Sequence, residues 1–199
     1  FASSDNIVNI NLVENFINDV KIPEAQVAYR FQAMMEDIHA ESYSLMIDTF
    51  IRNNQEKNKL FNAITTIPCV KKKADWAFKW INNKKAPYSI RLIAFAIIEG
   101  IFFSGSFCAI YWLRNRGLMP GLCKFNDFIA RDEGKHTDFA CLIYNNYIIN
   151  KVDTNIVHQV FKEAVEIEKE FITESIPCSM IGMNQKLMCQ YIEYVADRL

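Results

Sequence analysis

Apolar residues recur along most of the chain at intervals of three and four, the spacing of one helix face, and show no strand-like alternation worth following. Ile7, Ile10, Leu12, Val13 and Phe16 mark the inner face of a first helix, which Ser3 or Ser4 can cap and which runs to about Val20. Pro23 suits the first turn of a long helix to about Arg52, with Glu24 near its positive end. Shorter helices are predicted over about Glu56 to Thr65 and Val70 to Asn82. After the break at Lys84-Lys85-Ala86-Pro87, a second long helix runs to Arg116 and is stopped by Gly117 and Pro120. Another covers about Gly121 to Ile149, one capped by Asp153 continues to about Ser175 and is ended by Pro177, and a last spans about Met180 to Leu199. The expectation is an all-α protein.

With 199 residues, 51% of them hydrophobic, the chain is long enough to bury one sizeable core as a single domain, residues 1–199. A net charge of -1 and the absence of a basic stripe argue against nucleic acid as a partner. The run Lys71-Lys72-Lys73 reads as a solvated helix end. The six cysteines include no C-x-x-C pair and several lie in apolar helical segments, which favours reduced thiols in an intracellular, cytoplasmic protein. No signal peptide is visible, and both ends read as cut from a longer chain. Leu92 to Leu113 is long enough to span a bilayer. Its only charge, Glu99, would sit unpaired at mid-depth there, and the other helices have charged faces, so a central core helix and no membrane is the expectation.

The candidate chemistry lies in Glu36-Asp37-Ile38-His39-Ala40-Glu41-Ser42-Tyr43 and its echo Glu133-Gly134-Lys135-His136. Residues three and four apart share a helix face, so Glu36, His39 and Tyr43 stack over two turns while Glu133 and His136 form a matching pair. Two of only three histidines fall in this pattern; His158, with Asn155 three residues before it, reads as an ordinary surface or boundary histidine. Hard carboxylates bridge cations and imidazole suits iron better than calcium or magnesium, so the set fits a redox-active dinuclear site. Di-iron carboxylate bundles of the ferritin-like kind are built in this way, from two such pairs and two further glutamates or their equivalents. Glu99, alone in an apolar helix, is a third metal-facing acid. Charge balance asks for a fourth, since two divalent cations need four carboxylates in a buried site. Spacing does not choose it among Asp5, Glu14 and Asp19.

Five stretches, Ser4-Asp5-Asn6-Ile7-Val8, Glu36 to Tyr43, Glu99 to Phe107, Arg116 to Leu122 and Arg131 to His136, resemble the small subunit of class I ribonucleotide reductases, closest to the eukaryotic type. The resemblance covers essentially the whole chain. It implies a ferritin-like helical bundle, a homodimer, a separate large catalytic subunit, and an oxo-bridged centre of two iron ions per chain that uses dioxygen to generate a stable tyrosyl radical. It also implies Asp5, Glu36 and His39 as ligands of one iron and Glu99, Glu133 and His136 as ligands of the other, with Glu36 and Glu133 bridging. Tyr43 matches the radical tyrosine. Phe103, Phe107 and Ile129 match an apolar pocket around it, and equally suit ordinary core. Asp132 matches an acid that hydrogen-bonds His39 and continues a radical relay. By the resemblance, the relay tryptophan lies upstream of Phe1 and the docking tail beyond Leu199, because Trp76, Trp80 and Trp112 do not match the relay position. A ferritin-like iron store or ferroxidase, a lipid oxidase or desaturase, and a metal-free structural bundle are the competing expectations.

Overall fold

A computed structural model describes residues 4–175 and 180–199. Among them the regular structure is helical, apart from an isolated bridge between Met180 and Met183. The chain divides into two compact units, Phe1–Lys84 and Lys85–Leu199. The capping role expected of Ser3, the stop at Pro177 and Cys178 lie outside the described residues.

In the first unit, α1 (Ser4–Asn11) runs through a π-helical turn, π1 (Leu12–Phe16), into the short α2 (Ile17–Asp19). It packs on α3 (Pro23–Phe50), which starts on Pro23 because proline needs no N–H partner there. Val8, Leu12 and Phe16 are fully buried, and the Phe16 ring lies 5.5 Å from that of Tyr29 on α3. Polar ties fix the register: Asn9 Nδ2 donates to Asp37 Oδ1 at 2.5 Å and to the Ala33 carbonyl at 3.3 Å. The expected helix over Glu56 to Thr65 is two pieces, α4 (Asn54–Phe61) and α5 (Ala63–Thr66), divided at Asn62. In α6 (Pro68–Ile81), the Ile81 carbonyl accepts from Asn15 Nδ2 at 3.2 Å, tying the far end of the unit to π1.

The second unit is organised around α7 (Tyr88–Ile97), π2 (Ile98–Phe102) and α8 (Ser104–Asn115), expected as one continuous helix and interrupted instead by the π-helical turn. Every residue from Leu92 to Ile97 is buried, as befits a rod that is apolar all round, and so is Arg91 before it, whose Nε donates to the Ala86 carbonyl at 3.1 Å. Tyr88–Asn115 is long and apolar enough to cross a membrane, but 72% of its most apolar window is buried inside the protein. After α8, Gly117 takes a left-handed conformation (φ 67°) and Leu118 N–H donates to the Leu113 carbonyl at 3.0 Å, a Schellman closure that reverses the chain into α9 (Pro120–Tyr147). Asp153 Oδ1 accepts from Asn155 N–H at 2.8 Å at the start of α10 (Thr154–Ser175), as expected. The last helix, α11 (Gln185–Arg198), begins later than expected. Gly182 (φ 80°) turns the preceding residues, and Asn184 caps the helix by accepting from Leu187 N–H at 3.1 Å.

Candidate metal centre

In the first unit, α1 presents Asp5 and α3 presents Glu36 and His39, at 1%, 0% and 2% exposure. Ligand-capable atoms of all three lie within 4.8 Å of one another. His39 Nδ1 is 3.5 Å from Glu36 Oε2, so ring and acid address the same point, as their spacing of three on one helix requires. Burial resolves what spacing left open on the first helix: Asp5 is buried, whereas Glu14 and Asp19 are exposed. Tyr43, one turn beyond His39, is buried as well.

The second unit repeats the arrangement. Glu99 on π2 and Glu133 and His136 on α9 are all buried, again with ligand-capable atoms within 4.8 Å of one another. His136 Nδ1 lies 2.9 Å from Glu133 Oε2 and 3.9 Å from Glu99 Oε1. Glu99 sits inside a π-helical turn, a distortion that recurs at functional sites because the extra residue turns the side chains beyond it by about 100°. Ser104 Oγ donates to the Ile101 carbonyl at 2.7 Å where that turn gives way to α8. Phe103, Phe107 and Ile129 are buried, and the two phenylalanine rings meet edge to face at 6.3 Å. Asp132 is half-buried, with Arg131 Nε 3.9 Å from its Oδ1. His158 is exposed, as its sequence context suggested.

Each unit thus gathers two carboxylates and one imidazole in a water-poor place. Two negative charges match one divalent cation, and a buried carboxylate pair without one is costly. The donor set of oxygens plus imidazole nitrogen fits ferrous iron.

Two features went unread in the sequence. The π-helical turns are one. The other is Glu168, wholly buried on α10. The signal for it was available: Val160, Ala164, Glu168 and Ile172 follow each other at intervals of four, so an acid occupies an apolar stripe.

Fold and site define a helical bundle that gathers carboxylate–histidine ligand sets. The sequence model of the family described as "Ribonucleotide reductase, small chain" matches residues 1–199, and the chain belongs to that family. It is 56% identical over 199 residues to the ribonucleoside-diphosphate reductase small chain of Neurospora crassa, covering 100% of this chain and 48% of that one. It is 58% identical to the ribonucleoside-diphosphate reductase subunit M2 of Danio rerio, covering 100% and 51%. The chain therefore spans about half the length of these relatives. Among solved structures it is similar to the ribonucleotide reductase Rnr4 homodimer from Saccharomyces cerevisiae, with a TM-score of 0.87, 43% identity, and coverage of 99% of this chain and 62% of that one. The R2 subunit from Clostridium botulinum, at 23% identity and a TM-score of 0.81, shares the fold.

Proposed function

We propose that the protein is the radical-generating small subunit of a ribonucleoside-diphosphate reductase, and that the chain acts as one domain in which the two ligand sets serve a single dinuclear iron centre. The observation that carries this reading is the matched pair of buried sets, Asp5, Glu36 and His39, and Glu99, Glu133 and His136, in a chain of this family. Asp5, Glu36 and His39 would hold one ion and Glu99, Glu133 and His136 the other, with Glu36 and Glu133 as the acids shared between them. Four carboxylates balance two divalent cations. When bound, an iron pair would supply the chemistry of dioxygen activation and, with it, the oxidising power that converts Tyr43 to a phenoxyl radical.

The remaining work belongs to the chain. Tyr43 gives up one electron and its phenolic proton. Phe103, Phe107 and Ile129 keep water and reductants from the radical, and their burial supports that role. Asp132 takes the role that the family resemblance gives it, an acid that orients a ligand imidazole and opens the route by which the oxidising equivalent leaves. That equivalent is used on a separate large subunit, where ribonucleotides become deoxyribonucleotides for DNA synthesis. The small subunit works as a homodimer in the cytoplasm.

The test is metal analysis and electron paramagnetic resonance on the full-length protein after addition of ferrous iron and oxygen. Two irons per chain and a sharp radical signal are expected. Tyr43→Phe should keep the iron and lose the signal, whereas an unchanged signal would place the radical elsewhere. Glu133→Ala should lower the metal content to one ion or fewer, and two retained ions would refute its bridging role.

A further inference from the structure

α9 carries a hydroxyl that its own helix does not engage. A threonine inside a helix ordinarily returns its hydroxyl to the carbonyl four residues back, as Thr49 does to the Leu45 carbonyl at 2.7 Å. Thr137, in the interior of α9, does not: its Oγ1 is buried and meets no hydrogen-bond partner among the described residues. A buried hydroxyl in that condition costs stability that a methyl group in its place would not.

Three observations place Thr137 beside the second ligand set. It follows Glu133 by four residues on the same face of α9, and a helical side chain leans back over the turn before it. Its Oγ1 and Cγ2 each lie 3.4 Å from the point where a side chain on Gly100 would place its Cβ, so it packs against the residue that follows Glu99. With Glu99 and Glu133 it lines a cavity of about 340 Å³ bounded by π2, α8, α9 and α11. Glu133 Oε2 faces His136 Nδ1 at 2.9 Å, but a carboxylate has more acceptor sites than one imidazole and one cation take up. We propose that Thr137 is a positioning residue of the second ligand set: its hydroxyl donates to the Glu133 carboxylate when that acid ligates a cation, and so fixes the direction of the acid. The assignment rests on the metal-centre reading above.

The experiment uses full-length apoprotein titrated with Co(II), whose visible absorption reports ligand geometry without turnover, alongside thermal melting without metal. Thr137→Val exchanges the hydroxyl for a methyl group and keeps the shape. It should melt no lower than the wild type, because nothing in the fold bonds to the hydroxyl. It should nevertheless bind Co(II) about tenfold more weakly, with an altered spectrum, as loss of a group that orients a metal ligand does. Thr137→Ser keeps the hydroxyl and should restore both affinity and spectrum. Wild-type affinity and spectrum in Thr137→Val would overturn the assignment. So would a Thr137→Ser variant as weak as Thr137→Val, which would trace the loss to packing of the methyl group. A Thr137→Val variant that melts well below the wild type, or does not fold, would show the hydroxyl bonded within the metal-free fold and overturn the assignment as well. A wild type that takes up no Co(II) would instead overturn the metal centre itself, so the two failures are told apart.

Discussion

Burial raises the thiol pKa of Cys108 above the ordinary cysteine value, and at Cys141 the nearby Asp138 adds to the effect of burial. An unfolded cysteine loses its proton near pH 8.5 while these folded thiols still hold theirs, so in that window the unfolded state binds fewer protons and stability falls as pH rises. The urea midpoint of the reduced full-length protein should therefore be lower at pH 9.5 than at pH 7.5, and Cys108→Ala with Cys141→Ala should shrink the decline. A decline of the same size in the double variant would contradict the assignment. Lys169 acts at higher pH. Its hydrogen bond to Glu193 raises its pKa, so the stability it contributes is present below about pH 10.4 and is lost as pH climbs through the raised value. The metal-facing residues differ in how far sequence alone disclosed them. Glu36 with His39, and Glu133 with His136, were legible because each pair is local, three residues apart on one helix. Asp5 was not separable from Glu14 and Asp19 by spacing, since burial against α3, and not any local pattern, selects it.

Among the elements, the long helices were legible because their apolar faces repeat over many turns and prolines mark their starts. The turn π2 was not, because one extra residue within a rod that is apolar all round leaves the hydrophobic pattern unchanged. The split between α4 and α5 also escaped, since α4 is polar and mostly exposed and neither piece has a buried residue to announce the break at Asn62. Starts of helices are set by capping groups more than by periodicity. Asn53 shows this, its side chain accepting from Gln55 N–H at 2.8 Å and Glu56 N–H at 3.1 Å. In Asn53→Ala those donors lose their partner, and chemical denaturation should register a loss of about 1 kcal/mol. At Gly117, where the reversal into α9 requires φ 67°, Gly117→Ala should cost about 1–2 kcal/mol by the same measurement. A substitution there without effect would mean that the turn relaxes.

At the scale of the whole molecule, the two units each contribute a set with room for one cation by charge, and the proposed centre requires that neither set be filled alone. Binding linkage makes this measurable. A ligand that binds the folded state at a hundred times its Kd stabilises that state by about 2.7 kcal/mol, and amides that exchange through the opening of one unit gain only the protection that binding to that unit confers. If one bridged centre draws on both units, anaerobic ferrous iron should slow hydrogen exchange in Pro23–Phe50 and in Pro120–Tyr147 together, with one apparent affinity. Glu133→Ala, which removes an acid of the second unit only, should then weaken the protection gained in both helices. Independent mononuclear sites give a different result: two affinities, and a variant that loses protection in Pro120–Tyr147 while Pro23–Phe50 still responds. That second outcome would leave the ligand sets intact as metal sites and remove the shared centre, and with it the chemistry proposed for Tyr43.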